Sequence, residues 1–308
     1  QPAGVYWTGA ANDNNLSTPG NWSDGAVPAS GNPVIYLSTA ATLVVGDVFS
    51  PDTLTIPESS AVVTLAGSLT VSALTNACKL AVADGATLTV TGDLVGYAAT
   101  NDPKPLLYSN HGTVTVGGKV HFRSNGTSGG NSIVYQYAVA DADLKPIAAA
   151  GLAYNADSWS DYLVPNLGSI NGGKGLWVIG RAGTSYPVSR QISHSGFWVR
   201  GGQNATLYSS ADWTLAETYR HMGNDLRITD TARITLDTTD WNDKTTPRTV
   251  TFKGFLYANS SAETPFTVKG CGTLVLDNNV VNGKTNFINR TFAVRDMATL
   301  QIKPGKSI

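Results

Sequence analysis

One short pattern recurs along this chain and leaves few folds open to it. A small or turn residue, usually followed by Thr, precedes an apolar-x-apolar step. Copies are "ATLVV" (Ala41–Val45), "DTLTI" (Asp52–Ile56), "ATLTV" (Ala86–Val90), "GTVTV" (Gly112–Val116), "ATLYS" (Ala205–Ser209), "ARITL" (Ala232–Leu236), "GTLVL" (Gly272–Leu276) and "ATLQI" (Ala298–Ile302). Alternation of period two with β-branched residues is a strand signal. The spacing says more. The intervals from Thr87 to Thr113, from Thr206 to Arg233 and from Thr273 to Thr299 are nearly equal. Self-similarity at such a period marks a stacked repeat, in which each unit buries its apolar face against its neighbours. The chain is therefore expected to be all-β, a β-solenoid with one strand-turn-strand-turn unit per coil. An antiparallel β-sandwich is the alternative, because it too has short strands at regular spacing. Hairpin dipeptides such as Asp24-Gly25, Asp84-Gly85, Asn125-Gly126, Asn171-Gly172 and Asn282-Gly283 keep that alternative open.

Helix signals are scarce. Val139–Tyr154 is Ala-rich but interrupted by Pro146, and Ala211–Met222 mixes helix formers with Thr and aromatic residues. The 308 residues exceed the size at which single cores usually stop growing, so one elongated repeat fits as well as two domains. No stretch rich in Pro, Ser or charge separates independent units. The chain reads as a single domain with an irregular opening segment at 1–32, first coils at 33–130, an irregular insertion at 131–172 and later coils at 173–308.

Only 14% of residues are charged, against about 25% in ordinary globular domains. Thr, Ser, Asn and Gly fill the gap, which suits a secreted surface. The net charge of −1 draws neither nucleic acid nor an anionic membrane over long range. No segment approaches the roughly 20 apolar residues of a membrane span. The start, "QPAGVYW", carries no charged or apolar leader, so a signal peptide is either missing or already removed. Cys78 and Cys271 are far apart in the chain and share no metal spacing; they read as two small buried residues rather than a disulfide.

The two ends resemble a known family. "YWTGAANDNNLSTPGNWSDGAVPASGNPVIYL" is similar to the opening of secreted bacterial autotransporter-type passenger proteins: Trp7, Gly9, Asn21, Trp22, Gly25 and Pro28 match, while Asn32-Pro33 stands where such sequences carry Asp. "GCGTLVLDNNVVNGKTNFINRTFAVRDMATLQI" resembles the autotransporter-associated β-strand repeat through Gly270, Gly272, Thr273, Leu274, Leu276, Asn279, Gly283, Thr285, Thr299, Leu300 and Ile302, with Ala298 in place of a second Gly. The likeness covers these two end segments. It implies a right-handed single-stranded parallel β-helix displayed at a cell surface or secreted. "KPGKSI" stops in mid-pattern, so the native chain is expected to continue or to be capped by another element, and the open coil is a candidate for self-association.

Catalytic signals are thin, and no catalytic residue, cofactor or metal ligand is assigned. Asp237, Asp240 and Asp243 in "LDTTDWND" are the nearest approach to the carboxylate pair of a polysaccharide hydrolase, but in a strand and turn they read as solvated or on alternate faces. Arg190, His194 and Arg200 lack the acidic cluster that a lyase requires. His111, His121, His194 and His221 have no metal spacing, and Gly168–Gly175 lacks the Lys-Ser/Thr of a phosphate loop.

The aromatic residues remain. "GLWVIGR" and "GFWVRGG" place Trp177 and Trp198 at the same point of two similar stretches, slightly closer together than the threonine repeats. If that interval is one tight coil, the two rings lie one above the other at about 4.8 Å. They form either a covered ladder or an exposed platform for sugar rings, with Trp159 and Tyr162 nearby and Arg181 and Arg200 donating to hydroxyls or carboxylates. The resulting expectation is a structural or adhesive surface protein that binds host or bacterial polysaccharide. A polysaccharide-degrading enzyme is the alternative.

Overall fold

A computed structural model describes residues 4–31, 33–35, 41–57, 62–98, 108–109, 112–124, 147–156, 174–179, 192–193, 197–199, 204–215, 224–278 and 286–306. Among these, strand dominates, and the one helical element is the single 3-10 turn Pro19–Asn21. Every pairing between named strands is parallel, in one sheet of 19 strands and two of four. The antiparallel sandwich is thereby overturned. Asp84-Gly85 does turn the chain, with Gly85 at φ +71°, but the strands on either side of it belong to different sheets.

The strands recur in three rows. In the first, Thr53–Ile56 pairs with Ala73–Asn76, and that with Leu94–Ala98; later members are Trp213–Leu215, Thr249–Phe252, Thr273–Leu276 and Thr299–Ile302. In the second, Ser68–Val71 pairs with Thr87–Val90; later members are Lys174–Ile179, Asn204–Ser209, Arg233–Asp240, Phe266–Lys269 and Phe292–Val294. The long strands Thr113–Ser124 and Ile147–Ala156 serve both rows at once, which joins the rows into the 19-stranded sheet. The third row comprises the two smaller sheets, for example Val62–Ala66 on Lys79–Val82 and Asn224–Asp230 on Phe255–Ser260.

Period-two alternation fixes what each row buries. In Thr87–Val90, Leu88 and Val90 are buried and the threonines half-buried; Arg233–Asp240 buries Ile234, Leu236, Thr238 and Asp240. Parallel register then stacks like on like. Leu69, Leu88, Val114 and Ile147 form one inward column. Outside, Thr70, Thr89 and Thr115 form another. One hydrophobic cluster takes in buried residues from Trp7 to Leu276. Its later part is aromatic: Trp213, Phe252, Phe266 and Phe292 follow one another with ring centroids 6.3, 6.2 and 5.2 Å apart. Cys78 lies in this core, and burial pushes its thiol up to about 12. Cys271 is only half-buried, and both thiols are free.

Two of the three repeat intervals are true register steps: Thr87 pairs with Thr113, and Thr273 with Thr299. Thr206, however, pairs with Thr235, while Arg233 pairs with Asn204. An offset of two keeps every side chain on its expected face, so the pattern alone does not reveal it. Within 131–172, Ile147–Ala156 is regular strand rather than excursion, paired on both sides. Of the two segments carrying helix formers, the described parts hold strand, in Ile147–Ala156 and Trp213–Leu215, and no helix.

The motif residues at the two ends have local physical jobs. Trp7 and Trp22 are buried edge-to-face at 5.3 Å, and Trp22 stacks on Phe49 at 5.4 Å. Asn21, fully buried, donates to Asp13 Oδ1 at 2.6 Å and accepts from the Ala11 N–H at 2.8 Å. Together they plug one end of the core beneath the first strands. In "GCGTLVL", Gly270 takes φ +103°, a region that favours glycine. A Cβ on Gly272 would collide with the carbonyl oxygens of Arg248 and Thr238. Asn279, Gly283 and Thr285 lie outside the described residues.

Candidate functional site

The outward side of the second row carries an open groove of about 480 Å³. Alternation builds its floor: with Ala205, Leu207 and Ser209 turned into the core, Thr206 and Tyr208 face out. Register then stacks Thr206, Thr235 and Thr267 on three successive rungs, spaced about 4.8 Å apart. Arg233 begins its strand and lines one side, near Glu263 and Thr264 of the connection that leads into Phe266–Lys269. Tyr208, Lys269 and Arg295 line the other, at the strand ends.

The groove is polar and partly unneutralised. Lys269 Nζ lies 3.3 Å from Asp237 Oδ2, its register partner. Arg233, Arg295 and Glu263 have no side-chain hydrogen bond or ion pair among the described residues. Burial pushes the Tyr208 phenol above its ordinary value, while the Lys269 charge opposes that rise and Asp237 adds to it.

Tyr208 continues into an aromatic flank. Its ring centroid is 4.7 Å from that of Trp241 at an interplanar angle of 55°, and Lys244 Nζ sits 4.4 Å from the Trp241 centroid. A cation over an aromatic face is held electrostatically by the ring. The loop bearing Trp241 and Lys244 is locked at its base. Asp240, 2% exposed, accepts from the backbone N–H groups of Asn242 (2.7 Å) and Asp243 (2.9 Å) and from Arg248 Nε (2.7 Å). Burial works against this carboxylate, but the Arg248 bond and the two N–H groups outweigh it and hold Asp240 below the usual carboxylate range. At the exposed tip, Asp243 accepts from the hydroxyls of Thr246 and Thr245 and from the Thr245 N–H, which lowers it to about 2.

No family model, curated protein or solved structure matches this chain.

The acidic run singled out in the sequence is thus divided among three separate tasks: Asp237 pairs Lys269, Asp240 anchors the loop and Asp243 ties its tip. Glu263 is the one carboxylate that lines the groove among the described residues, whereas glycoside hydrolysis takes two carboxyl groups flanking the bond. Among the described residues no three His, Cys, Asp or Glu gather to hold a metal.

The two tryptophans expected to share one row stand at register positions in different rows. Trp177 occupies the register position between Ile147 and Leu207 in the second row, whereas Trp198 pairs with Arg227 in the third. A full step between rungs here runs from Ile147 to Trp177, and again from Trp177 to Leu207. The interval from Trp177 to Trp198 is shorter than that step, so it carries the chain only as far as another face. Trp159, Tyr162, Arg181 and Arg200 lie outside the described residues. The groove residues come from separate rungs, and only "LDTTDWND", beside the groove, is conspicuous in the sequence. A usable signal lies in the Thr-x-Tyr and Thr-x-Lys at equivalent places in "ATLYS" and "FTVK", which put a larger side chain beside each threonine.

Proposed function

We propose that this chain is a right-handed single-stranded parallel β-helix of the autotransporter-passenger kind, secreted or displayed on a bacterial surface, with a structural and adhesive role. Its outward second row binds glycans. The resemblance of both chain ends to that family supports the class, and the parallel three-row register is compatible with it.

The observation that carries the binding reading is the joining of a hydroxyl-lined floor, Thr206–Thr235–Thr267, to the Tyr208–Trp241 pair. Sugar rings present hydroxyls at their edges and C–H groups on their faces. Threonine hydroxyls meet the first and aromatic rings the second. A groove floored by hydrogen-bonded neighbouring strands is formed before an extended chain binds, which limits the ordering cost of binding.

A glycan array probed with wild type, Trp241→Ala and Tyr208→Ala tests this. The reading requires a set of wild-type ligands whose signal falls in both variants. Binding that survives both changes, or no glycan binding at all, overturns it. Release of reducing ends from a bound polysaccharide would overturn the adhesive role in favour of a degrading enzyme.

A further inference from the structure

We propose that the groove selects an anionic polysaccharide, one bearing carboxylates or sulfates along its length; this rests on the glycan reading above. Three cations, Arg233, Lys269 and Arg295, line a groove in which Glu263 is the sole acid among the described residues, on a chain whose net charge is −1. Lys269 is shared with Asp237. Both arginines are exposed and carry no ion pair among the described residues. Neutral sugars would leave them without counter-charges, whereas planar anions match the guanidinium fork through paired hydrogen bonds.

Their placement defines a track. Ile234 pairs with Phe266 and Asp237 with Lys269, so Arg233 and Lys269 stand at opposite ends of the paired segment. Arg295 follows Val294, the partner of Val268, and so lies one rung beyond Lys269. The three cations thus stand on three successive rungs, Arg233 on one side of the column beside Thr235, Lys269 on the other beside Thr267, and Arg295 on that same side one rung past the last threonine. A linear polymer running along the column meets Arg233 on one side, then Lys269 and Arg295 on the other. The repeat of charge along such a polymer, rather than one terminal group, is what this arrangement reads. Nucleic acid is also a linear polyanion. The chain as a whole lacks the basic excess that nucleic-acid binding draws on, and Asp237 and Glu263 stand within or beside the track.

Titration calorimetry at low and high salt on wild type, Arg233→Gln, Arg295→Gln and Trp241→Ala tests the assignment. The probes are oligogalacturonate, sulfated dextran oligomers, neutral dextran oligomers and a single-stranded oligonucleotide of similar length. Binding of oligogalacturonate or of sulfated dextran, weakened about tenfold by each arginine change and further by salt, supports the proposal, and the better of the two names the anion. Acidic binding indifferent to both arginines, or an oligonucleotide bound as tightly as either acidic oligosaccharide, overturns it. Neutral dextran bound through Trp241 but not through the arginines overturns the charge selection and leaves the glycan reading standing. Wild type that binds no oligosaccharide overturns both. Circular dichroism on each variant confirms that the exposed substitutions leave the strands intact.

Discussion

Arg248 donates its Nε–H to Asp240 Oδ2 at 2.7 Å, closing the base of the loop that holds Trp241 against Tyr208. The relationship is one-sided in exposure: the Arg248 side chain is 30% exposed and that of Asp240 only 3%. Removing the arginine leaves a buried carboxylate with two backbone donors; removing the carboxylate leaves two backbone donors without an acceptor. Asp240→Ala is therefore expected to cost about 2 kcal/mol, read as a lowered urea midpoint, with Arg248→Ala costing less because water reaches that side. Equal and negligible effects would show that the loop base is not held by this pair. Trp241 fluorescence should report the loosened loop in both variants.

Acid should undo the same loop. Asp240 and Asp243 are held below their ordinary values in the folded chain, Asp243 to about 2. A depressed folded value means that the contribution is complete above the unfolded value, about 3.9, and is lost as pH falls through the folded one. Thermal stability is predicted to be flat near neutral pH and to decline from about pH 4 downward. Asp13, lowered by Thr18, Asn15 and Asn21 at the opening plug, adds to the same decline. Asp243→Asn should reduce stability at neutral pH and make the acid decline shallower. An unchanged acid profile in that variant would contradict the assignment.

Much of the strand pattern is legible because period-two alternation survives in every row. Leu88 and Val90 are buried as their pattern demands, and Thr87 meets Thr113 and Thr273 meets Thr299 at the spacing seen in the sequence. What the pattern does not encode is the length of each turn between rows. The step from Leu54 to its partner Leu74 is short, and that from Trp177 to Leu207 is half as long again, because connections on the surface accept insertions with little cost. That variation is why two similar Gly-x-Trp-Val stretches belong to different rows. The groove is hidden for the same reason. Tyr208, Arg233, Glu263 and Arg295 meet only through register, and no local motif links them.

The "GCGTLVL" glycines make a sharp steric prediction. Gly272→Ala drives a methyl into the Arg248 and Thr238 carbonyl oxygens, backbone atoms that cannot swing aside. A loss of about 1–3 kcal/mol is expected, as for other overpacked sites. Gly270→Ala should also destabilise, through its φ of +103°. Unaltered urea midpoints in both would mean that the turn sits differently.

Phe266 is fully buried between Phe252 and Phe292, so Phe266→Ala removes the middle of the aromatic run. The expected cost is about 3–5 kcal/mol. Val48→Ala, at a residue 58% exposed, is the control and should change little. Comparable losses in the two would contradict the inward assignment of the second row.

Hydroxyl-radical footprinting with and without a bound acidic oligosaccharide tests the binding face most directly. Protection is predicted at Tyr208, Trp241 and Lys269, with Trp22, Phe49 and Trp213 unchanged in the core. Protection at another face, with the groove residues as reactive as in the free protein, would contradict the account.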